Sequence, residues 1–184
     1  IDNLTITQTT DDAAIINESK LKLTDSLVQG KNGYGVSNTG NGTIELDEET
    51  TITSTNNYGL YNSSQNFRLT NGTVYGIYNS GSMIIDENSK ITMHLMENTQ
   101  NRANAIYNNG TITMNNGSIT FNQGIDAILN NGNFIINDGN IATSYRSIYN
   151  YGTFTANGGT ITSPNNTIYN YSGTINNNGA SIIS

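Results

Sequence analysis

The chain has 184 residues, a formal net charge of −7, no cysteine and only 34% hydrophobic residues, and 33 of its residues are asparagine. The acidic balance, with only seven lysines and arginines, argues against nucleic acid or an anionic membrane as a partner. Disulfides are excluded, and the lack of any apolar run of about 18 residues excludes a transmembrane helix within this segment.

A short motif recurs along the whole chain, and its clearest copy is residues 106–111, Ile-Tyr-Asn-Asn-Gly-Thr. The intervals between copies run from 17 to 29 residues, so the motif is constant while the segments between copies vary in length. We call the asparagine of each copy the anchor asparagine. In chain order the anchors are Asn17, Asn38, Asn62, Asn79, Asn108, Asn130, Asn150 and Asn170.

Aliphatic residues stand at fixed distances from each anchor. One lies two positions before every anchor, others lie four and six positions after most anchors, and a third group lies 11 or 12 positions after. This alternation predicts three short strands per repeat with inward-facing aliphatics. Turn dipeptides such as Asn116-Gly117 and Asp138-Gly139 separate the strands, and no segment keeps a helical period.

Three strands per repeat, stacked repeat on repeat, predict an all-β fold of the parallel β-helix (β-solenoid) class. We expect a single domain over residues 1–184 with about eight coils of roughly 22 residues. The preference for right-handed parallel crossovers favours the right-handed form. The coil from Asn79 to Asn108 is the longest, and its extra residues predict a protruding loop at 95–104.

The anchor asparagines call for a structural explanation. Because the aliphatic residue two positions earlier faces inward, the anchor is expected to face inward as well. A buried amide is costly unless its hydrogen bonds are made. Identical amides in successive coils can bond to one another, so the sequence predicts a continuous asparagine ladder.

The motif and the segment that follows it carry a resemblance to known repeats. Residues 105–120, Ala-Ile-Tyr-Asn-Asn-Gly-Thr-Ile-Thr-Met-Asn-Asn-Gly-Ser-Ile-Thr, resemble the pectate-lyase-like β-helix repeats of large bacterial cell-surface proteins, many of them predicted adhesins. The resemblance extends from about Ala14 to Ile182. It implies an extracellular location at the bacterial cell surface, although the same scaffold also carries lyases, hydrolases and non-catalytic stalks.

The residue before the anchor is the main candidate for binding. Since inward and outward positions alternate, this residue faces outward, and tyrosines here would form an aromatic stripe interrupted by Leu129. Such a stripe can bind sugars or proteins, or it can stabilise the sheet by stacking. The stripe residues are Tyr61, Tyr78, Tyr107, Tyr149 and Tyr169.

Catalytic and metal-binding patterns are weak. His94 is the only histidine, and no lysine or arginine recurs beside the acidic residues, which collect at one predicted corner of the coils. That corner is best interpreted as a solvated turn, with Asp47, Asp86 and Asp138 as weak candidates for a Ca²⁺ site. We therefore expect no enzyme activity and no cofactor.

A non-enzymatic adhesin or stalk module is the function we expect, with a lateral face that binds polysaccharide or host glycoprotein. The chain starts at Ile1 without methionine, which suggests a fragment of a longer protein with flanking repeats of the same kind. Three alternatives stay open: a polysaccharide lyase or hydrolase, a pure spacer, and an ice-binding solenoid. The last is suggested by the Thr-x-Thr pairs Thr5/Thr7, Thr51/Thr53 and Thr111/Thr113.

Overall fold

Strands and turns make up all of the described residues, 1–93, 104–122 and 126–184, in the computed structural model of this chain. They wind into a parallel β-solenoid of about eight coils with three strands per coil, as the repeat predicts. Within these ranges no helix is long and apolar enough to span a membrane.

The three strands of each coil contribute to three sheets, and strands pair in parallel with the corresponding strand of the next coil, with one interruption between Thr43–Leu46 and Phe67–Leu69. Sheet 1 contains the strands that end on an anchor asparagine: Ile15–Asn17, Val36–Asn38, Leu60–Asn62, Ile77–Asn79, Ile106–Asn108, Asp126–Asn130, Arg146–Asn150 and Ile168–Asn170.

Sheets 2 and 3 form the other two faces of the solenoid. Sheet 2 consists of a hydrogen-bonded pair, Lys20–Leu23 and Thr43–Leu46, and a six-stranded part, Phe67–Leu69, Ser82–Ile85, Thr111–Met114, Asn133–Ile136, Thr153–Ala156 and Thr174–Asn177. Sheet 3 consists of Thr5–Thr7, Leu27–Gly30, Thr51–Ser54, Thr73–Tyr75, Lys90–Thr92, Ser118–Phe121, Asn140–Thr143, Thr160–Thr162 and Ser181–Ile183.

A column of aliphatic side chains fills the interior. The residues two positions before the anchors, such as Ile106 and Ile128, are in register from coil to coil and are fully buried except in the first and last coils, where Ile15 and Ile168 are partly buried. Phe134 and Phe154 pack inside sheet 2, with ring centroids 5.9 Å apart. The core is therefore continuous along the axis, and each coil covers the apolar surface of its neighbours.

The predicted asparagine ladder is confirmed. All eight anchors lie in register in sheet 1, and the Nδ2 of each donates to the Oδ1 of the next at 2.8–3.0 Å. The six interior anchors are fully buried, whereas Asn170, in the last coil, is exposed. Nδ2 also donates to backbone carbonyls, as Asn130 does to Gly132 in the following turn and to Thr153 in the next coil.

The glycine two positions after the anchor is required by the close stacking of the coils. A Cβ built on Gly132 would lie 2.1 Å from the carbonyl oxygen of Gly110, and one on Gly110 would lie 2.0 Å from that of Gly81. These distances are far inside van der Waals contact. The motif keeps glycine here because successive turns leave no space for a side chain.

The ladder predicts a sharp difference between two asparagine substitutions. Asn130→Ala removes the partners of Asn108 and Asn150 inside the core, and we expect it to lower the free energy of unfolding by about 1–3 kcal/mol. The control is Asn116→Ala, since Asn116 is exposed and its Oδ1 accepts from the backbone of Gly117 in the same turn. Urea unfolding of both variants tests this, and equal midpoints would contradict the buried role of Asn130.

The close approach of successive turns at the motif glycine predicts a difference in stability between two glycine substitutions. Gly132→Ala forces a Cβ into the carbonyl of Gly110, and we expect a loss of stability at or above the upper end of the roughly 1–3 kcal/mol typical of overpacking. Gly40→Ala is the matched control: its Cβ would lie 3.9 Å from the nearest atom, so it costs only the roughly 1–2 kcal/mol of a positive φ. Thermal unfolding measures both, and a larger loss for Gly40→Ala would show that the coils can separate locally.

Candidate functional site

The outward face of sheet 1 carries the predicted tyrosine stripe. Tyr61 and Tyr78 have ring centroids 5.6 Å apart, and Tyr78 and Tyr107 are stacked at 5.0 Å with an interplanar angle of 10°. These three side chains are partly buried and occupy the same column of the sheet. The rings therefore cover one another's faces and turn their edges and hydroxyls outward.

Two tyrosines that the motif does not include extend this group. Tyr34 stacks on Tyr61 at 5.1 Å, and Tyr58 meets Tyr78 edge-on at 5.9 Å. Both stand four positions before an anchor, so a search for a second recurring aromatic offset would have found them. Burial raises the pKa of Tyr34 and of Tyr58, which keeps both phenols neutral. We call this group the N-terminal tyrosine cluster: Tyr34, Tyr58, Tyr61, Tyr78 and Tyr107.

A second group lies beyond Leu129. Tyr149 lies 5.0 Å from both Tyr151 and Tyr169, and Tyr151 lies 5.1 Å from Tyr171. Tyr151 and Tyr171 each follow an anchor by one position, an offset that sequence analysis had not considered. Tyr171 is 63% exposed and is the most accessible ring of the four. We call Tyr149, Tyr151, Tyr169 and Tyr171 the C-terminal tyrosine cluster.

A paired arginine supports the C-terminal tyrosine cluster. Cζ of Arg146 lies 4.6 Å from the ring centroid of Tyr149 and 5.0 Å from that of Tyr169, within cation–π range. Nε of Arg146 bonds to Oδ1 of Asp126, the residue in register with it on the preceding coil, and both side chains are largely buried. Because the two charges compensate each other, this part of the face carries no net charge.

Asparagine amides contact the hydroxyl groups of two members of the N-terminal tyrosine cluster. Nδ2 of Asn109 donates to the hydroxyl of Tyr78 at 2.9 Å, and Nδ2 of Asn131 lies 3.2 Å from that of Tyr107. Asn131 also donates to Oδ1 of Asn109 at 2.9 Å. The rings are thus held by stacking along the axis and by hydrogen bonds at their outer ends.

Each candidate Ca²⁺ ligand lies in a turn where at least one of its carboxylate oxygens accepts a hydrogen bond from the protein. Asp47 accepts from the hydroxyl and the backbone of Thr50 and from the backbone of Asp25, and the Thr50 hydroxyl lowers the pKa of Asp47. Asp138 accepts from the backbone of Gly139. Among the described residues, no group of three or more acidic, histidine or cysteine side chains is placed to hold a metal ion.

Asp86 has a different role from the other two. Its Oδ1 accepts from Asn115, and its Oδ2 lies 2.8 Å from Nη1 of Arg68, although that approach lacks hydrogen-bond geometry. Asp86 thereby forms the end of an outer amide ladder at the corner between sheets 2 and 3. From Asp86 onward the ladder runs through Asn115, Asn137, Asn157 and Asn178.

The threonine pairs behind the ice-binding alternative lie on two faces. Sheet 3 carries Thr5/Thr7, Thr51/Thr53 and a further pair, Thr160/Thr162, whereas sheet 2 carries Thr111/Thr113. On sheet 3, Lys90 and Asn140 occupy the same column in intervening coils. The hydroxyl array is therefore interrupted by a charge and by an amide.

Residues 94–103, which include His94 and nearly all of the loop predicted at 95–104, lie outside the described residues, as do residues 123–125. Asn104 is described, and it is only 7% exposed. Its Nδ2 donates to the backbone carbonyl of Asp126 at 2.7 Å, so this end of the predicted loop belongs to the body of the solenoid.

Comparison of the chain with protein-family models, with curated proteins and with solved structures finds no match. The β-solenoid and its asparagine ladder are confirmed by the structure, whereas the resemblance to bacterial surface repeats stays a prediction. The function has to be argued from the geometry of sheet 1.

The C-terminal tyrosine cluster predicts an unusual titration. The hydrogen bond with Tyr151, followed by reduced solvation, raises the pKa of Tyr149 to about 12. A raised pKa means that the neutral phenol stabilises the fold at pH values below about 10, the ordinary value, and that this contribution is lost as the pH rises through 12. Tyr151→Phe should return the pKa of Tyr149 toward 10.

NMR titration of the tyrosine Cζ resonances measures this shift directly. Tyr145→Phe is the control, because Tyr145 is an exposed tyrosine outside both clusters. If Tyr149 titrates identically in wild type and in Tyr151→Phe, the two phenols do not share a hydrogen bond.

Proposed function

We propose that this chain is a non-enzymatic recognition module of an extracellular bacterial surface protein, and that the outward face of sheet 1 binds polysaccharide. One observation carries the proposal. Tyrosines gather on a single lateral face, in two clusters whose rings lie in register on consecutive coils.

Tyrosine side chains suit this task because each offers an apolar ring and a hydroxyl group. The hydroxyls of Tyr78 and Tyr107 are held by amides, so little conformational entropy of these two side chains is lost when a ligand binds. The hydroxyls and the amides of Asn109 and Asn131 together form a row of donors and acceptors along the coil axis. A polymer with repeated hydroxyl groups matches such a row.

The electrostatics of the face favour an uncharged polymer. The protein carries a net charge of −7, and Arg146, which lies beside the C-terminal tyrosine cluster, is paired with Asp126. A polyanion would be repelled at long range and would find no unpaired cation at this arginine. We therefore propose neutral polysaccharide as the ligand class, with the glycans of host glycoproteins as the related alternative.

A purely structural spacer is the competing function, and one observation favours it. Stacking of Tyr78 on Tyr107 at 5.0 Å is itself a stabilising cross-strand contact, worth about 0.2–1 kcal/mol per pair. If the rings serve only to stabilise the sheet, their removal would lower the stability of the protein and leave ligand binding unchanged.

A glycan array distinguishes a polysaccharide-binding module from a purely structural spacer. Wild type should bind a subset of neutral glycans, and the double variant Tyr107→Ala/Tyr149→Ala should lose that binding by at least about ten-fold, a free energy of about 1.4 kcal/mol. The control is Thr113→Ala/Thr155→Ala, two outward positions on sheet 2. This pair should leave binding unchanged.

Two results would contradict the proposal. Wild type that binds no glycan and no glycoprotein favours the spacer. Release of new reducing ends from a bound polymer would instead favour a lyase or a hydrolase, and the carboxylates of the described turns would then need to be tested one at a time.

A further inference from the structure

The two tyrosine clusters are separated by a gap of one coil. Leu129 is paired in register with Tyr107 on one side and with Tyr149 on the other, so it occupies the column in which the neighbouring coils carry tyrosine. Among the described residues, no ring contact joins Tyr107 to Tyr149. The column begins with Ile16 and Ser37 and carries tyrosine from Tyr61 onward, so Leu129 is the one position within the tyrosine run that lacks a ring.

Ring faces elsewhere in the clusters are largely occupied. Tyr78 is stacked on Tyr107 and also contacts Tyr61 and Tyr58, so it presents mainly its edge and hydroxyl to solvent. Tyr149 is contacted by Tyr151, by Tyr169 and by the guanidinium of Arg146. At the Leu129 coil the described residues place no ring between Tyr107 and Tyr149, so each of these two rings lacks an aromatic neighbour on that side.

The gap has the size of one ring. Strands of a sheet are about 4.8 Å apart, so two steps place Tyr107 and Tyr149 about 9.6 Å apart along the axis. The ring pairs on either side, Tyr78–Tyr107 (stacked) and Tyr149–Tyr169 (tilted by 44°), have centroids 5.0 Å apart. A six-membered ring in the middle of the gap would lie at this same distance from both tyrosines, above the half-buried side chain of Leu129.

We propose that this gap, with Tyr107 and Tyr149 as walls and Leu129 as floor, is the site that holds one neutral pyranose ring of the bound polysaccharide. The inference rests on the proposed function and assigns its binding site. Both faces of a pyranose carry C–H groups that pack on aromatic rings, while its hydroxyls point outward from the ring edge. Asn131, on the same coil as Leu129, supplies an amide at the rim, where it already contacts the hydroxyl of Tyr107.

Charge selects the sugar class. Asp126 and Arg146 neutralise each other beside the gap, so the site offers no free cation from this pair to a uronic acid. The neutral hydroxyls and amides around the gap suit an uncharged hexose. A free aromatic side chain of a protein partner would fill the same space without using the rim amides, and the experiment has to distinguish the two.

Filling the gap is the direct test. Leu129→Tyr restores the residue that most other coils carry in this column, so it should fold, and its added ring contacts should maintain or raise the melting temperature. Binding to soluble neutral probes, mannan and β-glucan, should fall by at least ten-fold in calorimetric titration. Leu129→Met keeps the volume of the floor and should bind within about two-fold of wild type. Polygalacturonate serves as the anionic probe and should not bind wild type.

NMR of the wild-type protein gives an independent result. Addition of the neutral probe should shift the ring resonances of Tyr107 and Tyr149 more than those of Tyr34, which lies at the far end of the N-terminal tyrosine cluster. A larger shift at Tyr34 would overturn the assignment, whatever the Leu129→Tyr variant does.

The outcomes separate this inference from the proposed function. If wild type and Leu129→Tyr bind the neutral probes equally well, the assignment of the gap as the binding site is wrong, while the proposed recognition function stands. If wild type binds neither probe nor any neutral glycan, both the site assignment and the proposed function are wrong. If Leu129→Tyr loses binding to a protein partner only, the occupant is an aromatic side chain and the sugar assignment is overturned.

Discussion

A buried primary amide is stable only when its donors and acceptors are satisfied, and here each anchor asparagine finds its partners in the adjacent coil and in the following turn. This requirement sets the register of the whole solenoid. A slip by one residue would turn the amides outward and the tyrosines inward, at a large cost in unsatisfied polar groups. The turn behind the anchor must also pass close to its copy in the previous coil, which only glycine allows. The lengths of the other turns can vary because neither condition depends on them.

The outer amide ladders show a further consequence of stacking. In the anchor ladder each amide donates toward the later coil, whereas in the corner ladder Asn178, Asn157, Asn137 and Asn115 donate toward the earlier one and end on Asp86. A carboxylate has acceptors and no donor, so it can occupy only the acceptor end of such a ladder. A second exposed series ends in the same way, on Asp11. Aspartate at these two positions is therefore explained by ladder polarity, without a bound metal.

The fold could be predicted almost completely from the sequence because one buried motif repeats at positions that tolerate little change. The inward offsets, the three strands and the ladder all followed from the spacing of isoleucine and asparagine. The candidate site was predicted only in part. Tyr34 and Tyr151 were missed because their offsets recur in a few coils only, and side-chain contacts between neighbouring offsets depend on ring orientation. The corner ladder was missed because Asn116, which is adjacent to it, looks equivalent in sequence but bonds within its own turn.

A solenoid with identical coils presents the same surface at every level, and such a surface can bind a polymer in many registers but cannot select one position on it. Selectivity requires that some coil differ. Here the buried motif is preserved through residues 126–130 while the outward position changes from tyrosine to leucine, so the difference leaves the core and the ladder intact. Tyr107 is ordered by stacking and by its amide contact, and Tyr149 packs against Tyr151 and Tyr169, so both walls of the proposed site are held in place before a ligand binds. The regular part of the repeat provides the rigid frame, and the departure at Leu129 is the place that we propose for one sugar ring.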